Sequence, residues 1–338
     1  MGREYVGIDF HRRRSVVVRM SPRGKRLSVV RIDNSAVALA EAVSAAGDHP
    51  HVVLEATYGW YWAVDVLQEL GATVHLADPN ALNWGERRVK NDVVDATDLA
   101  DMLRMGRLPE AWIAPPALRA LRELVRYRAK LVQLRSGLKA QVHAVMAKEG
   151  VLPRLDDMFG PGGQVQLDEM GLGHNYRVRV ESLRDLIEVY DGEVRMLERD
   201  IHRHLCHHGG YQAVQAIHGV GRTIAAILVA EIGDVTRFPT PRHLCSWAGL
   251  TPGRRESDVK GHDQGITKKG SKLLRWALIE SISCYHGGPH LAVEFHRLAD
   301  RRGKNKARVA IARRVLTLAY YGLRDGEIRC LTQPVEAA

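Results

Sequence analysis

The 338-residue sequence has little cysteine and no long apolar segment. Its four cysteines are scattered without a CxxC pair, which suits a reducing compartment and excludes a disulfide scaffold. The longest purely apolar stretch, Ile224 to Ala230, is far too short to cross a bilayer. Charged residues interrupt the N-terminus, so no secretory signal is visible. We therefore expect a soluble, cytoplasmic protein with no membrane partner.

Positive charge is what the sequence has in excess. Lysine and arginine total 49 against 39 acidic residues, which gives a formal net charge of +10. This balance favours a polyanionic partner, and nucleic acid is the partner we expect. The length exceeds the usual size of one domain, and 26% charged residues argue against a disordered or fibrous chain.

The N-terminal third has the pattern of an α/β domain. Three segments rich in strand formers follow one another with short polar loops, which predicts an antiparallel meander. A helix comes next, and then a βαβ unit, which requires a parallel strand pair with a right-handed crossover. The predicted elements are strands 5–10, 15–20 and 26–32, helix 35–46, strand 51–55, helix 60–70 and strand 73–77. This order predicts an RNase H-like fold.

Acidic side chains stand at the ends of these elements. Asp9 lies inside the first strand between two apolar residues, where a charge is costly unless it is paired or metal-bound. Glu55 ends an apolar strand, and Asp92 and Asp95 begin a helix predicted to run to about residue 104. Their spacing of three places Asp92 and Asp95 on one helix face. Should these elements meet, their oxygens would suit a hard divalent cation.

Spacing alone leaves the choice among these acids open. Asp98 and Asp101 continue the same three-residue spacing along the predicted helix. Acidic residues in a first helical turn are favoured by the helix dipole whatever their function, so Asp92 and Asp95 could be capping residues. Glu55 could simply end an edge strand.

The middle of the chain predicts two long paired helices. An apolar residue recurs every seven positions from Ala117 to Val145, and spacings of four and three alternate from Leu183 to Ile201. This is the spacing of an a/d seam, and the Gly-Pro-Gly-Gly run at 160–163 separates the two helices. The seam closes either within one chain, as an antiparallel hairpin, or between two chains.

The C-terminal third carries glycine turns and basic clusters. The turn at 217–221 precedes an apolar helix, so its backbone amides form either a phosphate site or a plain helix corner. The histidine-rich segment 202–208 has no second ligand pair nearby, which argues against structural zinc. Dense basic segments predict salt-dependent contacts to a phosphate backbone. The residues expected to make them are Arg254, Arg255, Lys260, Lys268, Lys269, Lys272, Arg275, Arg301 and Arg302.

Several short motifs together resemble the IS110 family of bacterial transposases, which includes the Piv-type DNA invertases. They are Val-Gly-Ile-Asp at 6–9, Leu-Glu-Ala-Thr at 54–57, Lys-Asn-Asp-Val-Val-Asp-Ala at 90–96, and Gly-Leu-Thr-Pro at 249–252 through Lys-Gly at 269–270. The resemblance covers nearly the whole chain. It implies a RuvC-like catalytic domain over 1–112, a coiled-coil dimerisation region over 113–208, and a mainly α-helical transposase domain over 209–338.

The resemblance also implies which acids bind metal. Asp9, Glu55, Asp92 and Asp95 match the family's DEDD tetrad, which would hold Mg²⁺ or Mn²⁺. This selects Asp92 and Asp95 over the acids that follow them, a choice that the spacing left open.

A nucleophilic serine is the second implication. Ser257 lies five residues after the proline of the Gly-Leu-Thr-Pro motif and so inherits that role. Family members usually place glycine after this serine, whereas Asp258 follows it here. A negative charge there disfavours attack on a phosphodiester unless a metal or the nearby Arg254 and Arg255 offset it.

The partners implied are donor and target DNA and a structured guide (bridge) RNA. We expect a homo-oligomer, dimer or tetramer, joined through the long helices, because recombining two DNA ends usually needs more than one subunit. The expected location is the bacterial cytoplasm, in association with the nucleoid. Other interpretations are a site-specific invertase, a hydrolytic nuclease of the Holliday-junction type, and a non-catalytic nucleic-acid-binding protein.

Overall fold

The structure is a computed structural model, and it describes residues 4–82, 91–150, 157–257, 260–283 and 290–332. The chain divides into two compact units, Met1–Ala114 and Pro115–Ala338. The finer division into three regions stays a prediction. Within the described ranges, every helix is too short or too polar to cross a membrane.

The first unit is a mixed sheet with helices. Its elements are β1 Tyr5–Phe10, β2 Arg14–Met20, β3 Arg26–Asp33, α1 Ala36–Ser44, β4 His51–Glu55, α2 Trp60–Glu69, β5 Thr73–Ala77, α3 Asp92–Arg104 and β6 Glu110–Ala111. The strand order is β3-β2-β1-β4-β5-β6. The antiparallel meander and the parallel β4–β5 pair are confirmed, and β4 also lies parallel to β1. The two-residue β6, antiparallel to β5, was missed because so short a strand has no recognisable pattern.

The strand β1 shows how the two faces of the sheet are covered. Side chains alternate along a strand, so Val6, Ile8 and Phe10 share one face, and they pack in the core formed with α1 and α2. Gly7 and Asp9 belong to the opposite face, on which α3 lies. A Cβ on Gly7 would stand 2.0 Å from the carbonyl oxygen of Ala96. Only glycine therefore allows α3 to approach β1 this closely.

The second unit is mainly helical. Its elements are α4 Pro116–Lys148, α5 Pro161–Glu169, α6 His174–Leu205, α7 Gly209–Val214, α8 Arg222–Ile232, a 3₁₀ turn Val235–Arg237, α9 Pro241–Trp247, β7 Pro252–Ser257, β8 Lys260–Ile266, α10 Lys272–Ser283, α11 His290–Arg302, α12 Lys304–Asp325 and α13 Arg329–Thr332. Strands β7 and β8 form an antiparallel hairpin. The segment around Ser257 is thus a β-hairpin. The sequence did not reveal it, because these residues are charged and show little alternation of polar and apolar types.

The long helices α4 and α6 pack against each other within one chain. Near the middle Leu131 contacts the cluster of Val194 and Leu197, and further along α4 Val145 packs in the cluster of Val180. The pairing is therefore antiparallel. The predicted seam of α6 is buried in this hairpin, so it offers no free surface to a second copy. Homo-oligomerisation stays a prediction, and it would need another surface.

Candidate active site

Strand register places the acids of β1 and β4 at the same edge of the sheet. These strands run parallel, with Ile8 opposite Leu54, and Asp9 and Glu55 are the residues that follow this pair at the carboxyl ends. Both belong to the face that α3 covers, because each follows an inward-facing apolar residue of the other face. Adjacent strands lie about 4.8 Å apart. The sheet therefore places two of the four predicted acids at its carboxyl edge.

The other two predicted acids, Asp92 and Asp95, lie in the first turn of α3. Asn91 caps this helix, since its Oδ1 accepts the Val93 amide hydrogen at 2.9 Å. Asp92 is consequently not the N-cap, although it lies in the first turn, where the helix dipole favours an acid whatever its function. It is the first helical residue, with a side chain 57% exposed. The cap is already satisfied, so the Asp92 carboxylate remains available at the edge of the sheet.

A histidine that the sequence did not single out joins these acids. His11 Nε2 lies 3.0 Å from Asp9 Oδ2 and 3.8 Å from Asp92 Oδ1. Among the described residues, only Asp9, His11 and Asp92 are grouped closely enough to share a metal ion, with ligand atoms within 4.8 Å of one another. The missed signal was local, because His11 is two residues beyond Asp9 at the end of the same strand. Asn34 fixes its backbone by donating from Nδ2 to the His11 carbonyl at 2.5 Å.

Electrostatics make Asp9 the most perturbed acid of the cluster. Burial raises the pKa of Asp9 first of all, and the negative charges of Asp92 and Asp95 raise it further. The neighbouring His11 offsets only part of this. Converging carboxylates that repel one another in a half-buried site are what a divalent cation stabilises. The donor set of the described residues thus fits a divalent metal ion.

One of the later acids of α3, Asp101, has a partner away from the candidate site. Asp101 forms a 2.6 Å ion pair with Arg104 one turn further along. Asp92 and Asp95 are both among the charges that raise the pKa of Asp9.

Ser257 is the last residue of β7, and its backbone pairs with Lys260 at the far end of the hairpin. Its side chain, like those of Arg254, Arg255 and Lys260, lies outside the described atoms. Asp258 lies outside the described residues altogether. The structure therefore gives the position of the serine along the hairpin and no side-chain geometry.

The base of this hairpin explains the Gly-Leu-Thr-Pro and Lys-Gly motifs. Gly249 has φ +71°, and a Cβ there would stand 2.4 Å from the backbone of Lys269. Gly270 has φ +67°, and a Cβ there would stand 2.4 Å from the Trp247 carbonyl oxygen. The Lys268 amide donates to the Gly249 carbonyl at 3.1 Å. The two motifs are thus two sides of one backbone contact that anchors the hairpin.

The residues predicted to contact nucleic acid differ in their exposure to solvent. Lys268, Lys269 and Lys272 are exposed, and so are Arg301 and Arg302 at the end of α11. For these five residues, contact with a phosphate backbone stays a prediction.

Arg275 is engaged within the protein. Its Nη1 donates to the carbonyls of Ala248, Lys269 and Gly270. Burial lowers the pKa of Arg275. This arginine holds the hairpin base, which is a structural role that the sequence did not suggest.

Two other sequence features have local structural explanations. Gly219 has φ +79°, and a Cβ there would stand 2.0 Å from the Ser281 carbonyl oxygen, so the turn before α8 needs glycine for shape. In the histidine-rich segment, His204 contacts the Asp200 carbonyl and the Cys206 thiol donates to the Arg203 carbonyl. Within the part of the chain that the structure describes, no metal cluster forms there.

Comparison with known proteins places this arrangement in a class. Residues 6–149 match the model of a DEDD-type transposase domain, and residues 211–286 match the model described as transposase IS116/IS110/IS902 family. The first match contains all four acids of the candidate site, and the second contains the hairpin. The class is therefore that of transposases. Together the two matches span more than half of the sequence, and the chain belongs to the IS110 family.

Several curated proteins share this similarity. The chain is 28% identical over 251 residues to "Putative transposase y4qE" of Sinorhizobium fredii, covering 74% of this chain and 62% of that protein. It is 23% identical over 289 residues to "Transposase for insertion sequence element IS1328" of Yersinia enterocolitica, covering 82% and 84%. It is also 34% identical over 113 residues to the "Pilin gene-inverting protein" of Moraxella bovis, covering 32% and 35%.

Proposed function

We propose that this protein is the transposase of an insertion sequence, which cuts and rejoins DNA by phosphoryl transfer. The main observation behind the proposal is that Asp9 and Asp92 both lie close to the His11 side chain. Asp9 comes from the sheet and Asp92 from a helix more than eighty residues later, inside a segment that matches a transposase model. A cluster assembled from such distant residues, within a basic chain, suits chemistry on a polyanion.

The metal centre consists, in this proposal, of Asp9, Glu55, Asp92 and Asp95, with Mg²⁺ or Mn²⁺ as the cofactor. A bound divalent ion supplies charge stabilisation for a phosphodiester undergoing displacement. The four acids would hold it at the carboxyl edge of an RNase H-like, RuvC-like sheet. His11 hydrogen-bonds Asp9 and orients that carboxylate, as partners of metal ligands commonly do.

Ser257 is the proposed nucleophile. It ends β7 in a hairpin whose base is fixed by the contact of Gly249 with Lys269. Attack by its hydroxyl oxygen on a phosphodiester would form a phosphoserine bond and release a 3′- or 5′-hydroxyl end, so the linkage energy is conserved for rejoining. Arg254 and Arg255, on the same strand, are the candidates for offsetting the charge of Asp258.

Nucleic-acid partners follow from the exposed basic residues and the family. Lys268, Lys269, Lys272, Arg301 and Arg302 would contact the backbones of donor and target DNA. A structured guide RNA is proposed on the family resemblance, with base pairing supplying the choice of sequence. A homo-oligomer acting near the bacterial nucleoid completes the proposal.

The covalent step is tested with labelled DNA, Mg²⁺ and candidate guide RNA, followed by denaturing electrophoresis. We expect a DNA–protein adduct from the wild type and none from Ser257→Ala, since removing a nucleophile costs about 10⁴-fold or more. Ser246→Ala is the matched control, because Ser246 is an exposed serine on the neighbouring helix α9. Cleavage that persists in Ser257→Ala with no adduct would indicate a hydrolytic nuclease instead.

The metal centre has a separate test that needs no activity. Divalent ions that bind only the folded protein raise its melting temperature by mass action. We expect Mn²⁺ to raise it in the wild type and in Asp98→Asn, but not in Asp92→Asn. An equal shift in Asp92→Asn and the wild type would place the ion elsewhere.

Site-specific inversion is the second candidate function. The similarity to pilin gene-inverting proteins, at 34% identity over 113 residues, favours it over a hydrolytic nuclease and over a non-catalytic binding protein. The same acids and serine would serve both inversion and transposition. A substrate with inverted sites on one plasmid distinguishes them, since an invertase flips the segment and a transposase of an insertion sequence moves it to another molecule.

A further inference from the structure

A cavity in the second unit lies outside both the carboxylate cluster and the hairpin. It has a volume of about 310 Å³ and is bounded by α4, α6, α7 and α8. Ligand pockets begin at about this size, and a water molecule takes about 30 Å³, so the space exceeds what a single small ion fills.

The inner wall of the cavity is apolar. Val125, Ile201, Ala226 and Ile227 line it and are each at most 5% exposed, as part of the core of the second unit. Tyr211 lies among them, and its hydroxyl is 3.2 Å from His202 Nδ1. An apolar wall with a few polar groups is the usual environment of a bound planar heterocycle.

The remainder of the lining is strongly basic. Arg128 is held by Glu198 and contributes little free charge. Arg195, Arg199 and Arg222 are exposed, and among the described residues none of these three makes an ion pair. The acids four residues before and three residues after Arg195 on its helix, Asp191 and Glu198, are themselves paired with Arg135 and Arg128. Three guanidinium groups of this kind on one cavity form a site for an anion.

The arrangement of these arginines favours phosphate. Arg195 and Arg199 are four residues apart on α6, so like charges face the cavity side by side and repel each other until an anion binds. Arg222 and Thr223 belong to the first turn of α8, whose Gly221 cap supplies no side-chain acceptor. The backbone amide hydrogens of this first turn add to the positive potential of the cavity. A guanidinium group can donate two parallel hydrogen bonds to two oxygens of one phosphate.

We propose that this cavity binds one nucleotide of a nucleic-acid strand, with its phosphate against Arg195, Arg199 and Arg222 and its base against the apolar wall. Unpaired bases that leave a stack are held in this way, by apolar contact together with backbone contacts. The site would anchor a single-stranded segment on the second unit, at a place separate from the proposed reacting groups.

The test uses the full-length protein and calorimetric titration with AMP and UMP, inorganic phosphate, and adenosine and uridine without phosphate. We expect a nucleoside monophosphate to bind at least about tenfold more tightly than phosphate or its nucleoside, since both halves of the site contribute. Equal affinities for nucleotide and phosphate would overturn the proposal, because the apolar wall would then have no role.

Variants separate the cavity from the general basic surface. Arg199→Gln should weaken nucleotide binding by about tenfold. Arg203→Gln should leave it unchanged, because Arg203 lies on the same helix, is 75% exposed and does not line the cavity. Ala226→Leu fills the wall and should weaken AMP binding without affecting inorganic phosphate. Equal losses in Arg199→Gln and Arg203→Gln would contradict the assignment.

A single-stranded oligonucleotide distinguishes a nucleotide in a strand from a free one. It should compete with AMP for the wild type, and Arg199→Gln should weaken both. AMP binding without such competition would overturn the proposal that the cavity binds a nucleotide within a strand, and would identify a free nucleotide as the ligand. Asp92→Asn should bind AMP normally, so failure of the proposed metal centre and failure of this site give different results.

Discussion

The two units build their candidate sites in opposite ways. In the first unit, Asp9 of a strand and Asp92 of a helix lie together near His11, and a close approach of backbone allows the helix to pack on the sheet. In the second unit, the hairpin that carries Ser257 is anchored at its base, where Gly249 meets Lys269. The proposed metal centre therefore lies on the core of its unit, whereas the proposed nucleophile lies on a hairpin. A change in one unit should therefore affect either metal binding or the formation of the DNA–protein adduct, and not both.

The largest effect is expected from Asp9→Asn. This change removes a carboxylate that Asp92 and Asp95 face, and we expect DNA cleavage to fall by at least about 10²-fold, as when one group that stabilises the transition state is lost. The melting-temperature rise caused by Mn²⁺ should vanish as well. Asp33→Asn is the control, because Asp33 is 84% exposed and pairs with Arg14 at the surface. Cleavage at the wild-type rate in Asp9→Asn would remove the first unit from catalysis.

Gly7→Ala should break the first site through packing. Its Cβ would meet the Ala96 carbonyl at 2.0 Å, so α3 must move away from β1. We expect a loss of about 1–3 kcal/mol in the free energy of unfolding, together with loss of the Mn²⁺ effect. Chemical denaturation measures the first and thermal melting the second. Gly137→Ala, within α4 and with open space around it, should stabilise the protein slightly.

Gly249→Ala is the matching change in the second unit. The positive φ and the 2.4 Å approach to Lys269 both oppose a side chain, so the hairpin base should open. We expect fewer DNA–protein adducts while the Mn²⁺ shift is retained. Loss of the Mn²⁺ shift in this variant would show that the two sites are not separable.

Glu231→Gln tests the stability of the second unit. Burial alone would raise the pKa of Glu231, but the hydrogen bonds and charge of Arg126, with help from Ser271 and Arg122, hold it below its usual value. A lowered folded-state pKa means that the ionised form stabilises the fold above the unfolded value of about 4.5. This contribution is lost as the pH falls through the folded-state pKa.

At neutral pH the variant should lose about 1–2 kcal/mol, a figure reduced because Arg126 is half-exposed. Its stability should also depend less on pH in the acidic range. Denaturation between pH 3 and 7 measures both. Glu327→Gln, which breaks an exposed pair with Arg329, should change neither. A variant profile parallel to that of the wild type would exclude Glu231 as the titrating group.

The smallest effect is expected from Asn34→Ala. This residue bonds the His11 carbonyl and accepts from the Ser15 hydroxyl at 2.7 Å, so its loss should loosen His11. We expect a loss of about 0.5–1.5 kcal/mol in stability and a modest fall in cleavage. Asn80→Ala, at an exposed turn, is the control. An unchanged cleavage rate would mean that His11 does not orient Asp9.

The strands of the first unit were predictable because half-buried strands alternate and turn residues interrupt them. The bounds of β1, β4 and β5 agree with the predicted segments, and Ser35, the first residue of the predicted helix, is the N-cap of α1. The hairpin of the second unit was missed, because β7 and β8 are charged and lack an apolar face in sequence. The cavity lined by Arg195 and Arg222 was equally invisible, since its walls come from four helices.

The sequence by itself determined the strand and helix pattern, the excess of basic charge and the set of candidate acids, because these depend on residue type and local spacing. It did not choose between Asp92 and Asp98 without a family resemblance, and it passed over His11. Tertiary structure groups His11 with Asp9 and Asp92, since the missing side chain of Gly7 lets α3 approach β1 closely. Distances between residues far apart in the chain exist only once the sheet and helix have packed.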